Sequence, residues 1–371
     1  MVLALAATVS ACAPTRAPSA PDHSWVSLPV AQAGVHDQRL AFAQVFDAEL
    51  RRHPSPDTPA SGWLHLPSPQ GQALAAVGAI EQRFGRLAAG TVVLVVPGLF
   101  GDCVSAQSVP FGDGQLRTPA RSATEAYGGY ADLGLKDLRM LPLPGRASSQ
   151  ANGLRLAEAL HAEADHPGVE RIVLVAYSKG VPDVLHALQQ LSETGGIPPQ
   201  VQALVSVAGI AMGTPLADRY DTWYAALTQA FDPLDCSPSE GGEVASLTLL
   251  TRGAWLASHP PPPPLRYHSV LAHAPQEAIA WPLRPFHAQL SDIDARNDGQ
   301  VAASHAVLPG SSLLAEARTD HWGLVLPRER HPSAWWRAMS TPERFPREAL
   351  FRALIKWVVA DLPGAPAAPR P

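Results

Sequence analysis

Cysteine is scarce in this chain: 371 residues hold three, Cys12, Cys103 and Cys236. Neither Cys103 nor Cys236 stands in a CxxC pair or has a histidine at ligand spacing, which argues against a zinc site. Basic charge is short too. The 28 Lys and Arg residues fall below the 33 Asp and Glu, a formal net charge of −5, so no electrostatic footprint for nucleic acid is present. Only Lys136, Lys179 and Lys356 are lysines; the preference for Arg, with abundant Ala and Pro, is read as a compositional trait without a mechanism. Beyond the N-terminus no run approaches the ~20 apolar residues that cross a bilayer, and no internal repeat is found. The body of the chain is expected to be soluble.

Hydrophobic content of 46% against 16% charged indicates a compact protein with a good core. The length suits one large α/β domain with insertions, or two smaller ones. The first residues, MVLALAATVSACAPTRAPSAP, form a short apolar stretch that ends in small residues and passes into a Pro/Ala/Ser-rich segment, as in an export signal. No basic residue precedes the stretch. Val9-Ser10-Ala11-Cys12 resembles a bacterial lipobox, in which the cysteine becomes the lipidated first residue of the mature chain. Export would place Cys103 and Cys236 in an oxidising compartment where they could pair as a disulfide. The expected division is an export signal and linker over 1–22, an N-terminal helical extension over 23–89, and a main domain over 90–371.

Along the chain, residues 36–53 and 73–90 carry apolar residues at helical spacing, and 54–71 read as loop with a WLHL island as an edge strand. TVVLVV at 91–96 has the composition of a buried strand and breaks into the turn PGLFGD. Residues 137–163 read as strand, loop and helix, and 201–218 as a strand with a Gly-rich exit. Strands are also expected in 265–274 and 312–318, and a helix over 347–362. Strands alternating with helices imply a mostly parallel sheet covered on both faces. Residues 219–265 interrupt that alternation with aromatic helical pieces and a proline run at 260–264. That insertion is expected to be a cap whose Trp223, Tyr224, Phe231 and Trp255 overlie the site and receive an apolar group, the alternative being a surface excursion.

The chemistry is concentrated in RIVLVAYSKG at 171–180. An apolar strand stops at Ala-Tyr-Ser-Lys-Gly and turns directly into a helical pattern, VPDVLHALQQL. Such a turn brings strand and helix backbones almost into contact, so the positions two before and two after the serine must be small. Ala176 and Gly180 meet that need, and Ser178 is the expected nucleophile. A serine hydroxyl needs a histidine to take its proton and a carboxylate to hold that histidine's tautomer. Asp298, in an Asn-Asp-Gly turn after the penultimate strand, and His321, after the last, follow in the order Ser, acid, His. Asp292, Asp294 and Asp320 are rival acids, and His268, His273 and His305 rival bases. The Lys179 side chain is expected to pair with Asp183 one helical turn on, at a few tenths of a kcal/mol.

Together the elbow, the PGLFGD turn, the Asp-Gly turn and the Asp-His-Trp ending resemble bacterial α/β-hydrolase-fold esterases and lipases over about residues 90–325. GTPLAD at 213–218 is similar to a segment that lipases carry after the strand following the elbow. The resemblance implies an α/β-hydrolase fold with a mostly parallel central sheet, helices on both faces and a cap insertion over 219–265. It makes Ser178 the nucleophile, Asp298 the orienting acid and His321 the base. The oxyanion donors become the backbone N–H of Lys179 and that of Leu99 or Phe100. Two departures stand out: Ala176 replaces the first elbow glycine, and Pro97 stands where many lipases have His. The implied activity is carboxylic ester hydrolysis through an acyl-enzyme, with no metal or other cofactor, on an ester substrate for which a lipid, a polyester and a small ester are the open alternatives. A lipid anchor at Cys12 would add the membrane of the bacterial cell envelope as a partner. Acyl transfer would use the same residues, and a non-catalytic envelope lipoprotein of this fold is the reading from another class.

Overall fold

The computed structural model describes residues 34–53, 59–68, 75–102, 109–112, 125–219, 237–328, 334–338, 340 and 344–363. Cys12, Cys103, Cys236, Trp223, Tyr224 and Phe231 lie outside these residues. Seven strands form one parallel sheet in the order β1-β7-β6-β5-β4-β2-β3. They are β1 (His36–Asp37), β2 (Thr91–Val96), β3 (Asp137–Met140), β4 (Arg171–Tyr177), β5 (Val201–Val207), β6 (Arg266–Ala272) and β7 (Ser312–Ala317). β2 and β4 are buried along their full length, which is why they read as unbroken apolar runs and not as alternating ones.

Helices cover both faces. Helix α1 (Arg39–Arg52), α2 (Val77–Leu87) and α7 (Arg347–Asp361) share one apolar layer with the sheet, in which Phe42, Phe46, Leu350, Phe351 and Leu354 are buried. On the other face α3 (Ser149–Ala164) and α4 (Gly180–Thr194) pack Leu156, Leu160, Val184 and Leu188 against Val92, Leu94, Ile172 and Leu174. Helices α5 (Leu249–Ser258) and α6 (Arg284–Ser291) belong to the connections before and after β6.

The N-terminal stretch is more than helical. β1 pairs with β7, with His36 opposite Ser312, and the WLHL island meets the same strand through an antiparallel bridge from Leu64 to Ala317. The His65 N–H donates to the Glu316 carbonyl at 2.8 Å. A two-residue strand next to a helix start leaves no periodic signal, so its residues read from sequence as part of the first helix.

Candidate active site

All the parallel strands point their carboxyl ends to one rim of the sheet, and the site lies there. β4 carries the chain to Tyr177, and Ser178 then adopts φ 54, a left-handed conformation that a non-glycine residue holds only where its surroundings over-determine it. Those surroundings are tight. A methyl on Gly180 would stand 2.6 Å from the Pro97 carbonyl oxygen, and one on Gly98 would stand 2.9 Å from Ser178 Cβ. The extra methyl of Ala176, by contrast, is accommodated with no exposure.

Asp298 occupies the tip of its Asn-Asp-Gly turn. Its Oδ1 accepts from the amides of Gln300 and Val301, each at 2.8 Å, which aims Oδ2 at His321 Nδ1, 2.7 Å away. The other ring nitrogen, Nε2, lies 2.9 Å from Ser178 Oγ. Ser178, His321 and Asp298 therefore form one unbroken chain of hydrogen bonds, all three buried. The main chain of His321 is held as well: its N–H donates to the Asp298 carbonyl at 3.0 Å, and its carbonyl accepts from the Tyr177 hydroxyl at 2.9 Å. Burial holds that phenol well above its usual range, so it remains a donor. Sequence reasoning passed over Tyr177 as the variable residue of the elbow; an aromatic directly before the serine was the available signal.

The rival residues are placed elsewhere. Asp320 accepts from the amides of Ala280, Trp322 and Gly323, and burial pushes its carboxyl up to about 6, so it anchors the loop that carries His321. Asp294 pairs with Arg296, and Asp292 is exposed. His268 is buried in β6, 3.7 Å from Asp361. His273 faces Glu316 and stacks on His65 with ring centroids 3.8 Å apart. His305 is buried in the short helix Ala303–Ala306. Thr214, from the lipase-like GTPLAD segment, donates its hydroxyl to the Gln300 carbonyl at 2.7 Å and so ties the exit of β5 to the Asp298 turn.

The loop Pro97–Asp102 runs past the serine. Gly101 closes it by donating to the Gly98 carbonyl at 3.1 Å, and Phe100 adopts φ 60. On the other side, Lys179 stands at the N-cap of α4 and Gly180 at its first position, where a helix leaves backbone N–H groups without an intrahelical partner. Lys179 does pair with Asp183, at 2.9 and 2.8 Å, but the expected surface pair is a buried one, with both side chains 2% exposed or less. The small value of a solvated helical pair does not apply to it.

A metagenomic carboxyl esterase of known structure superposes on this chain with a TM-score of 0.73 at 30% identity, over 91% of this chain and 96% of that one. The chain belongs to the α/β-hydrolase esterase family. Two further solved structures align less fully. A Bacillus licheniformis lipase gives 22% identity and a TM-score of 0.48 over 63% of this chain and 86% of that one. EstA from Clostridium botulinum gives 12% and 0.47 over 86% and 97%. No family profile matches, and no curated protein matches either.

In this hydrolase the described part of the insertion, residues 237–265, divides between the two apolar layers: Leu256 and Leu265 join that of α3 and α4, and Val244 and Leu247 the other. Trp255 lies tilted against His186 of α4, with centroids 4.4 Å apart, and stacks on His259. Its neighbour Arg252 is fully buried, donates to the Ala211 carbonyl at 3.1 Å and lies 4.7 Å from the Trp255 ring centre. Trp255 was expected to receive an apolar group above Ser178; its ring is instead occupied in fastening α5 to α4. Behind the Asp298 turn a pocket of about 600 Å³ is lined by His65, His273, Pro275, His287 and Ser291 among others, and by none of Ser178, Asp298 or His321. Among the described residues no cluster of His, Cys, Asp and Glu is arranged to hold a metal ion.

Proposed function

We propose that this hydrolase cleaves carboxylic esters through an acyl-enzyme formed on Ser178. The observation that carries the reading is the hydrogen-bond chain from Asp298 through His321 to Ser178 Oγ, at 2.7 and 2.9 Å. His321 Nε2 takes the hydroxyl proton as Oγ attacks the ester carbonyl, and Asp298 stabilises the imidazolium that forms. The oxyanion of the tetrahedral intermediate accepts from the amide of Lys179 and from that of Leu99. Phe100 is the alternative donor from the same loop; its nitrogen lies close to Gly145, where an added methyl would approach it to 2.6 Å. Collapse of the intermediate passes the proton from Nε2 to the leaving alcohol. Water then attacks the acyl-serine by the same route in reverse, restoring the free serine and releasing the acid.

The test is Ser178→Ala, assayed on p-nitrophenyl esters and with a fluorophosphonate probe. Both turnover and labelling should vanish while thermal unfolding stays close to that of the parent; a folded variant that still turns over ester would end the proposal. We propose further that the apolar stretch before Cys12 exports the chain and that Cys12 carries a lipid anchor, with the residues up to 22 as linker, a reading supported by the Val-Ser-Ala-Cys pattern. Mass spectrometry of the mature N-terminus should find a diacylated Cys12, and an unmodified residue there would refute it.

A further inference from the structure

The two sides of the oxyanion site are joined behind the serine by a continuous polar chain that the mechanism above does not use. It begins at Lys179, whose amide is one of the two proposed donors. Its ammonium donates to both carboxylate oxygens of Asp183 at 2.9 and 2.8 Å. Asn152, on the neighbouring helix α3, donates from Nδ2 to Asp183 Oδ2 at 2.8 Å and to the Pro144 carbonyl at 3.0 Å. The next residue, Gly145, donates its N–H to Asp102 Oδ1 at 2.9 Å. Asp102 is the last residue of the loop that carries the other proposed donor, and its Oδ2 accepts from Ser237 at 3.0 Å. Lys179, Asp183 and Asn152 are 2% exposed or less.

A buried ion pair is a poor source of stability, because the desolvation of both charges offsets their attraction. Burying a lysine directly after the reactive serine is therefore better explained by what it holds in place. Through Asp183, Asn152 and the Pro144-Gly145 step, the helix that presents one amide is connected by hydrogen bonds to the loop that presents the other. Gly145 fits so closely that a methyl there would come within 2.6 Å of the Phe100 and Gly101 nitrogens and of Asp102 Oδ1. We infer that Lys179, Asp183 and Asn152 are positioning residues that set the separation of the two oxyanion donors. This inference rests on the reading of Ser178 as nucleophile.

Stabilisation by such donors depends on their reach to the oxyanion and not to the ground-state carbonyl. Loosening the network should thus lower kcat and leave KM nearly unchanged. The test uses the full-length protein with Asn152→Leu, which keeps the number and branching of the side-chain heavy atoms, removes the hydrogen bonds and leaves the Lys179–Asp183 pair in place, and a Lys179→Met/Asp183→Leu double variant. Each is assayed for kcat and KM on p-nitrophenyl butyrate and for inhibition by an alkyl trifluoromethyl ketone, whose serine adduct carries an oxyanion. Losing a whole donor costs about 10²–10³ in kcat. For a displaced one we expect a fall of about tenfold, KM within about twofold, and ketone affinity weakened by the same factor as kcat/KM. Unchanged kcat and ketone affinity in folded Asn152→Leu would overturn the inference, and that variant alone decides if the double variant fails to fold. Ser178→Ala run alongside separates the two claims. An active Ser178→Ala removes the nucleophile reading itself, whereas an inactive one beside a fully active Asn152→Leu removes only the network.

Discussion

Asp298 and Asp294 stand four residues apart in one loop, and only hydrogen bonding separates their roles. Asp298 has one oxygen fixed by two amides and the other on His321. Asp294 has its carboxylate turned to Arg296 and to the Ser304 amide. In Asp298→Asn the amide oxygen can keep the two backbone bonds, which leaves the NH₂ group facing Nδ1 and forces the imidazole into the wrong tautomer. We expect kcat to fall by about 10⁴, with Asp294→Asn close to the parent, measured on the same ester. The opposite ranking would move the acid to Asp294. At this scale the sequence was legible wherever a residue type answers a chemical need in a fixed order, as Ser178, Asp298 and His321 do. It was not legible where a role depends on what lies behind the residue. Nothing in the string Ser-Lys-Gly tells that Lys179 is buried, because that follows from Asn152 on a different helix.

Elements were legible in proportion to their length and burial. β2 and β4 announce themselves as apolar runs that end in glycine-bearing turns, and α7 as fifteen residues rich in apolar positions that are buried nearly all round. The insertion was not, because its aromatic content says that surface is buried without saying against what. Trp255 found His186. The elbow gives the sharpest prediction for an element. Gly180→Ala would drive a methyl to 2.6 and 2.7 Å from the carbonyl oxygens of Pro97 and Val96, and β2 cannot yield because β3 and β4 pair with it on either side. Such overpacking costs about 1–3 kcal/mol, so the melting temperature should fall by several degrees and probe labelling should slow. Ala176→Gly, which restores the commoner elbow residue, should leave labelling intact. Equal melting temperatures for Gly180→Ala and the parent would show that the contact is softer than the backbone implies.

The whole molecule has an acid liability. Burial, reinforced by Arg266, holds His268 down to about 3, and the Asp361 carboxylate 3.7 Å away does not offset it. His186 and His65 are held down to about 4, again chiefly by burial. In the unfolded chain each imidazole takes a proton near 6.5, so between about 4 and 6.5 the unfolded state binds more protons and stability rises with pH. Asp320 opposes this: pushed up to about 6 by burial, it keeps a proton in the folded state that the unfolded chain releases near 3.8, so its share of stability falls as pH rises from about 4 to 6. His287 and His305 are also held down by burial and Asp361 is also pushed up, so five imidazoles outweigh two carboxyls. Urea unfolding should show lower stability at pH 5 than at pH 7, and a neutral replacement, His268→Gln, should flatten that slope. A slope of opposite sign would mean that these histidines are charged in the native protein.

One further consequence concerns where the chain can be cut. Strand β7 sits next to the margin of the sheet, and its outer side is occupied by two residues of β1 and by the Leu64 bridge. A recombinant form shortened to begin at residue 90 would retain Ser178, Asp298 and His321 together with every element between them. It would also uncover a row of unpaired amides and carbonyls on a strand of Leu313, Leu314 and Ala315, a surface that invites a neighbouring molecule to add its own strand. The same cut would strip α1 and α2 from the apolar layer they share with α7, so such a trimmed protein should self-associate through an open sheet margin and an uncovered apolar face, with Ser178, Asp298 and His321 still present.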